Sequence, residues 1–221
     1  MKRALRLDDF GASSKQNEIY TKALNGWGNL LSLHSFQKFR AWAKYEEIEV
    51  SLLEGFVQKL ADQNSKATLG ITACWLSLDG TLETYKVKFP DHLRVLQVGI
   101  DIGVIEIANH GLTHAVTENM DFRPKRFSSN RTVHREYWPW RKKNVIHSAV
   151  SLSQIVLQDC FGSKPNIAVP PGNVWCRESA EACTEKGIKI INTPAASSNS
   201  VAELVFAHLF GLVRFLHSSN R

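Results

Sequence analysis

Three short polar clusters in this chain have the residue types for joint chemistry. They are the adjacent acids Asp8-Asp9, the imidazole pair His110 and His114, and the turn Pro170-Pro171-Gly172-Asn173. Two carboxylates and an HxxxH pair supply the oxygen and nitrogen donors that a divalent metal takes. One carboxylate with two imidazoles leaves coordination positions open for water and substrate, which separates a catalytic site from a closed structural one. A metal held this way acidifies bound water and polarises a carbonyl. A second, uncoordinated carboxylate beside it can take the proton from that water. Each cluster alone also has a plain structural reading: HxxxH recurs by chance, and an Asp pair after a strand often caps a turn by accepting hydrogen bonds from exposed N–H groups.

The elements around these clusters explain how they would meet. Residues 4–7 read as a short strand ending at the acids, and 67–76 as a buried strand. Residues 104–108 read as a strand running into Asn109-His110-Gly111, 167–169 as a strand stopped by Pro170-Pro171-Gly172, and 188–191 as a last strand. Apolar spacing predicts helices over 17–33, 48–62, 146–161, 178–186 and 201–216. The stretch 93–99 fits helix or strand, and 122–143, basic and aromatic without a period, is a long loop. Strands alternating with helices imply an α/β fold with a mostly parallel sheet or barrel. Ligand sites in such folds lie at the C-terminal ends of strands. Each of the three clusters follows a strand directly, so they should converge on one face.

The composition bounds the function classes. The chain has 221 residues, 43% hydrophobic and 22% charged, which excludes a disordered or fibrous chain. That length fits one large α/β domain or two small ones. No apolar run approaches the ~20 residues of a membrane span. The opening Met1-Lys2-Arg3-Ala4-Leu5-Arg6-Leu7 has no apolar stretch ahead of the acids, unlike a signal peptide, so a cytoplasmic protein is expected. Cys74, Cys160, Cys176 and Cys183 show no CxxC spacing, and neither a metal nor a disulfide is assigned to them. Lys+Arg number 27 against 21 Asp+Glu, a net charge of +6. The excess gathers in Arg123-Pro124-Lys125-Arg126, Arg131, Arg135 and Arg141-Lys142-Lys143. This reads as a solvated basic loop, or as a contact for an anionic ligand such as a phosphate-bearing sugar carrier. No nucleic-acid motif accompanies the charge, so nucleic acid is not an expected partner. The sequence leaves the oligomeric state open.

The segments Asp8-Asp9-Phe10-Gly11, Glu106-Ile107-Ala108-Asn109-His110-Gly111-Leu112-Thr113-His114 and Val169-Pro170-Pro171-Gly172-Asn173 resemble, in order and spacing, the polysaccharide deacetylases of the NodB-homology (carbohydrate esterase 4-like) type. The resemblance covers residues 1–186, and His110-Gly111-Leu112-Thr113-His114 is its most specific piece. It implies a deformed (β/α) barrel, incomplete at its C-terminus, and a metal-dependent hydrolase that removes N- or O-acetyl groups from a carbohydrate or a nucleotide- or lipid-linked sugar. By that resemblance Asp8 is the general base, and Asp9, His110 and His114 hold a divalent metal, zinc above others. The turn Pro171, Gly172 and Asn173 lines the substrate groove, with a backbone N–H near the oxyanion. The segment His134-Arg135-Glu136-Tyr137-Trp138-Pro139-Trp140 could cover the sugar, Trp138 and Trp140 either stacking on it or packing the loop down.

The sequence also departs from that pattern. The family usually carries Thr-Phe-Asp-Asp-Gly, whereas here Phe10 precedes Gly11, a form that resembles the related YdjC-type sugar deacetylases. Val169 stands where an Arg normally orients the base, and Arg6 is the candidate to replace it at the substrate site. Asp9-Phe10-Gly11 also spells the metal motif of protein kinases, but no Gly-rich loop, strand lysine or catalytic loop precedes it.

The tail, 187–221, reads as a strand and an apolar helix rather than an independent domain. Gly187-Ile188-Lys189-Ile190-Ile191-Asn192-Thr193-Pro194 and Ser200-Val201-Ala202-Glu203-Leu204 resemble the D-isomer 2-hydroxyacid dehydrogenases, phosphoglycerate dehydrogenase above all. No GxGxxG follows, so the tail alone would not bind NAD. Phe215-Leu216-His217 loosely fits the late Leu-His motif that supplies the deacetylases' general acid, which makes His217 the candidate acid; His208 lies on the same predicted helix. Two alternatives accompany the deacetylase reading: a non-catalytic carbohydrate-binding relative, and an NAD-dependent dehydrogenase fragment.

Overall fold

A computed structural model describes residues 5–13, 46–120, 122 and 133–191. The chain divides into Met1–Ile191 and Asn192–Arg221, and every described residue lies in the first unit. The helices expected over 17–33 and 201–216, His208, His217 and the basic residues at 123–126 and 131 lie outside the described residues.

In chain order the elements are β1 (Leu5–Phe10), α1 (Val50–Asp62), β2 (Ala67–Ile71), β3 (Cys74–Leu76), β4 (Leu82–Thr84), α2 (Tyr85–Lys88) and α3 (Pro90–Asp101). They continue with β5 (Ile105–Asn109), α4 (Lys143–Phe161), β6 (Ile167–Ala168), α5 (Arg177–Glu185) and β7 (Lys189–Ile190). Five strands make one parallel sheet in the order β1-β2-β5-β6-β7, the α/β architecture expected, and β3 with β4 form a separate antiparallel hairpin. Among the described residues β1 and β7 are the edges of that sheet.

Local sequence accounts for the elements. Leu53, Val57 and Leu60 recur at helical spacing and are the buried stripe of α1. Residues 93–99 are helix rather than strand: Pro90 opens α3, where its missing N–H removes no hydrogen bond, and Val95, Leu96 and Gly99 face inward. Gly162, at φ 76°, ends α4 in the left-handed conformation that glycine adopts without strain. The strand expected over 67–76 is two strands. After Ile71 the chain leaves the sheet, the N–H groups of Ala73 and Cys74 donate to the carbonyls of Gly111 and Leu112 at 3.0 and 2.7 Å, and β3 then pairs with β4. An unbroken apolar run carries no mark of such a departure.

Three apolar clusters pack the described residues, and two of them hold most of the core. The larger joins the sheet (Leu69, Ile71, Ile107) to Leu53, Leu96 and Leu157 of the helices. The smaller gathers Tyr137, Ile146, Val150, Cys183 and Ile188. All four cysteines are buried. No described helix is long and apolar enough to cross a membrane.

One irregularity bears directly on chemistry. β1 and β2 are in register from Leu5↔Ala67 to Leu7↔Leu69, but the next pair is Phe10↔Ile71. Three steps along β1 thus oppose two along β2, a bulge that holds Asp8 and Asp9, with Asp9 at φ 70°. Adjacent residues of a regular strand point to opposite faces, and a bulge re-aims them.

Glu181 of α5 ties two helix starts together, accepting from Lys143 Nζ at 2.8 Å and from Arg177 Nε at 2.7 Å. Hydrogen bonds from Lys143 and then Arg177 hold its carboxyl down at about 2, against an ordinary 4.5. A depressed carboxyl stabilises the fold above its unfolded value and loses that contribution as pH falls through the folded one. The pair is exposed, so salt screens it. Acid melting curves of wild type and Glu181→Gln should therefore converge as pH drops from about 4.5 toward 2, and should differ less in high salt.

Candidate metal centre

The ends of β1 and β5 bring three ligand atoms together. Asp9 Oδ1 lies 3.2 Å from His110 Nε2 and 3.0 Å from His114 Nε2. One ligand atom from each of the three residues lies within 4.8 Å of the others, the only such His/Cys/Asp/Glu group among the described residues. The rings of His110 and His114 are 4.8 Å apart between centroids. Both imidazoles are buried, whereas the Asp9 side chain keeps 39% of its surface exposed. The cluster therefore has two dry walls and one wet side.

The strand between them makes this approach feasible. β2 separates β1 from β5, and in it stands Gly70. A Cβ on Gly70 would lie 3.1 Å from Asp8 Oδ1 and 3.3 Å from the His110 ring. Glycine thus leaves the space in which side chains of the two flanking strands approach across the middle one.

The donors fit a cation. Val169 O can only accept, so His110 Nδ1, 2.8 Å away, carries a proton, and in the neutral ring the Nε2 lone pair then faces Asp9. That lone pair and the Asp9 carboxylate oxygen face each other at 3.2 Å, an arrangement that calls for a proton or a cation between them. The titration tendencies agree. Burial would raise the Asp9 carboxyl, but hydrogen bonds and charge from His110 and His114 hold it well below the usual carboxylate range. Burial would lower the His110 imidazole, but Asp9, Asp8 and the Val169 carbonyl raise it. A backbone carbonyl fixing the tautomer of a ligating histidine is the common outer partner of metal sites.

Asp8 stands beside this cluster. Its Oδ2 pairs with Arg6 Nη2 at 2.9 Å, and its Oδ1 is buried with no hydrogen-bond partner. Arg6 Nη2 also donates to Asn173 Oδ1 at 3.4 Å, so the 170–173 turn reaches back to β1. Asn173 is exposed, whereas Pro171 is buried and would lie 2.6 Å from a Cβ on Gly111. Pro171 thus packs against Gly111 of the histidine loop. A Cβ on Gly172 would lie 2.5 Å from His134 Cδ2, so His134 backs the turn, and its ring stacks on His114 at 6.2 Å.

The loop 133–142 is anchored in the protein at one part and exposed at another. Tyr137 and Glu136 are buried, Tyr137 in the smaller apolar cluster. Arg135 lies 4.5 Å over the Trp138 ring, and Trp138 meets Trp140 edge to face, with Trp140 exposed. Arg141 is not a solvated member of a basic patch. It is buried, pairs with Glu118 at 2.7 Å and donates from Nη1 to the Glu136 carbonyl. Lys143 is engaged with Glu181.

Sequence reading missed Glu136. Its Oε2 accepts from the N–H groups of Leu112 at 3.0 Å, Thr113 at 3.3 Å and His114 at 3.0 Å. Burial pushes its carboxyl up to about 7, against the pull of Arg141 and of the donors on Thr113, His114 and Leu112. Its only sequence signal is a lone acid inside a basic, aromatic stretch. Asn109 was likewise missed as a site residue: its Oδ1 accepts from Gly111 N at 2.9 Å and its Nδ2 donates to Ser153 Oγ at 2.8 Å, starting the loop that carries both histidines.

No protein-family model matches the chain, and no curated protein does. The likeness of 187–221 to the hydroxyacid dehydrogenases therefore finds no support. Among solved structures the chain is similar to a family 4 carbohydrate esterase from Streptomyces lividans, at 13% identity over 66% of this chain and 57% of that one, with a TM-score of 0.42. It is similar to a peptidoglycan N-acetylglucosamine deacetylase, at 16% identity over 67% and 52%, TM-score 0.44. It is also similar to a CE4-family pseudoenzyme from Bacillus anthracis, at 13% identity over 76% and 58%, TM-score 0.44. The chain spans about half the length of these structures.

Proposed function

We propose that this chain is a metal-dependent hydrolase that removes an acetyl group from a carbohydrate, with Asp9, His110 and His114 holding a divalent ion, zinc above others, and Asp8 as the base. The observation that carries the reading is the pairing of two unlike carboxylates. Asp9 Oδ1 sits between two imidazole nitrogens, and Asp8 beside it keeps one oxygen on Arg6 and the other unpartnered. A divalent ion held by Asp9, His110 and His114 would polarise an acetyl carbonyl and acidify a water. Asp8 Oδ1 is the atom placed to take a proton from that water, while Arg6 on Oδ2 keeps the carboxylate oriented. The half-exposed side of Asp9 gives the acetyl group its approach, with Asn173 at its margin through Arg6. Exposed Trp140 offers an aromatic face of the kind that stacks on a sugar ring. The leaving group's proton is assigned to His217, as the resemblance to the deacetylases implies. Open carboxylate–imidazole sites are common to many hydrolases, so the acetylated-sugar substrate rests on that resemblance.

Two measurements test this reading. Elemental analysis of purified protein should find one divalent ion per wild-type chain and none in His114→Ala; equal metal in both would remove His114 from the site. Asp8→Asn should keep the ion and lower deacetylation of acetylated sugar oligomers by roughly 100- to 10,000-fold, the range for a lost general base. Loss of the ion in Asp8→Asn would exchange the roles of the two acids. Bound metal with no turnover by wild type on any acetylated sugar would leave a carbohydrate-binding protein in place of an enzyme.

A further inference from the structure

Resting on the metal-site reading above, the geometry points to Glu136 as the positioning residue of the centre: its buried carboxylate gathers the N–H groups of Leu112, Thr113 and His114 and so sets the backbone from which His114 reaches Asp9. A buried carboxylate is costly unless hydrogen bonds compensate it. Glu136 finds those bonds on the histidine loop, at 3.0 to 3.3 Å. With the carboxyl ionised they are charge-assisted, hence stronger than neutral ones.

The loop is clamped from both sides. Its carbonyls at Gly111 and Leu112 accept from Ala73 and Cys74, while its N–H groups at 112–114 point at Glu136. Gly111, at φ 88°, is where the carboxylate closes in, since a Cβ there would collide with Glu136 Oε2. His114 itself is held at φ 54°, a left-handed conformation that a non-glycine residue keeps only under external constraint. The bond from its own N–H to Glu136 is such a constraint. Arg141 fixes Glu136 in turn, donating to its carbonyl while pairing with Glu118. The Glu136 carboxylate bonds the loop's backbone, so it acts through His114 and is not a catalytic residue.

The test is Co2+ titration, followed by the visible absorption of the bound ion, on wild type, Glu136→Gln and Leu157→Ala. Gln keeps the shape but replaces one oxygen with a donor and removes the charge; Leu157→Ala weakens the core from α4 and leaves every hydrogen bond of the loop's backbone in place. Glu136→Gln should bind Co2+ about 10- to 100-fold more weakly with an altered spectrum, as for other outer partners of metal ligands. Leu157→Ala should bind like wild type. Wild-type affinity and spectrum in Glu136→Gln would overturn the assignment, and so would an equal loss in Leu157→Ala, because affinity would then track stability. If Glu136→Gln does not fold, Glu136→Asp replaces it. The shortened carboxylate keeps the charge but cannot span the three donors, and the same weakening is expected. Failure of both variants to fold would also overturn the proposal, because the carboxylate would then hold the domain rather than the loop. Absence of Co2+ binding by wild type would instead overturn the metal-site reading, and this proposal with it.

Discussion

The Asp9–His110–His114 cluster depends on closing a gap across a strand. β1 and β5 are not neighbours; β2 runs between them, and strands two apart are separated by about 9–10 Å. Side chains must reach over β2 for Asp9 Oδ1 to lie 3.0 and 3.2 Å from the imidazole nitrogens. Gly70 provides the opening because it puts nothing where Asp8 and His110 approach. The bulge in β1 provides the aim, by breaking the alternation that would send Asp8 and Asp9 to opposite faces. Neither device stabilises the sheet; glycine inside a strand weakens it and a bulge interrupts its ladder.

That arrangement stores backbone strain. Asp9 and His114 both hold positive φ, at roughly 1–3 kcal/mol each for a non-glycine residue. Such conformations persist when their surroundings over-determine them. At β1, Ala12 N donates to Asp9 O and Thr72 N to Phe10 O, fixing the chain where it leaves the bulge. At the histidine loop, Asn109 and Glu136 engage the N–H groups from Gly111 to His114, and Ala73 and Cys74 engage the carbonyls of Gly111 and Leu112. A rigid parallel sheet with clamped loops at its strand ends fits a site whose ligand atoms must be held to a few tenths of an ångström.

Much of this was legible in the sequence because period and punctuation carry it. The helical spacing of Leu53, Val57 and Leu60, the strand ending at Asn109, and the stop at Pro170-Pro171 placed the elements and put Asp9, His110 and His114 at strand ends, where they do lie together. What failed to show has no local signature. The turn away from the sheet at Thr72 is invisible because its cause, hydrogen bonds to Gly111 and Leu112, lies about forty residues away. Glu136 and Arg141 sit in an aperiodic segment whose charge reads as solvated, and only their burial reveals a different role. The packing of Pro171 on Gly111 joins segments about sixty residues apart and likewise leaves no local mark.

The most direct test of the central claim is crystallographic: anomalous difference density at the zinc absorption edge, in crystals grown with Zn2+. The account predicts one peak within bonding distance, about 2.0–2.2 Å, of Asp9, His110 Nε2 and His114 Nε2, with Asp8 outside its ligand sphere. A protein that crystallises with the same sheet but shows no peak there, or whose ion is held by Asp8 instead of Asp9, would contradict it.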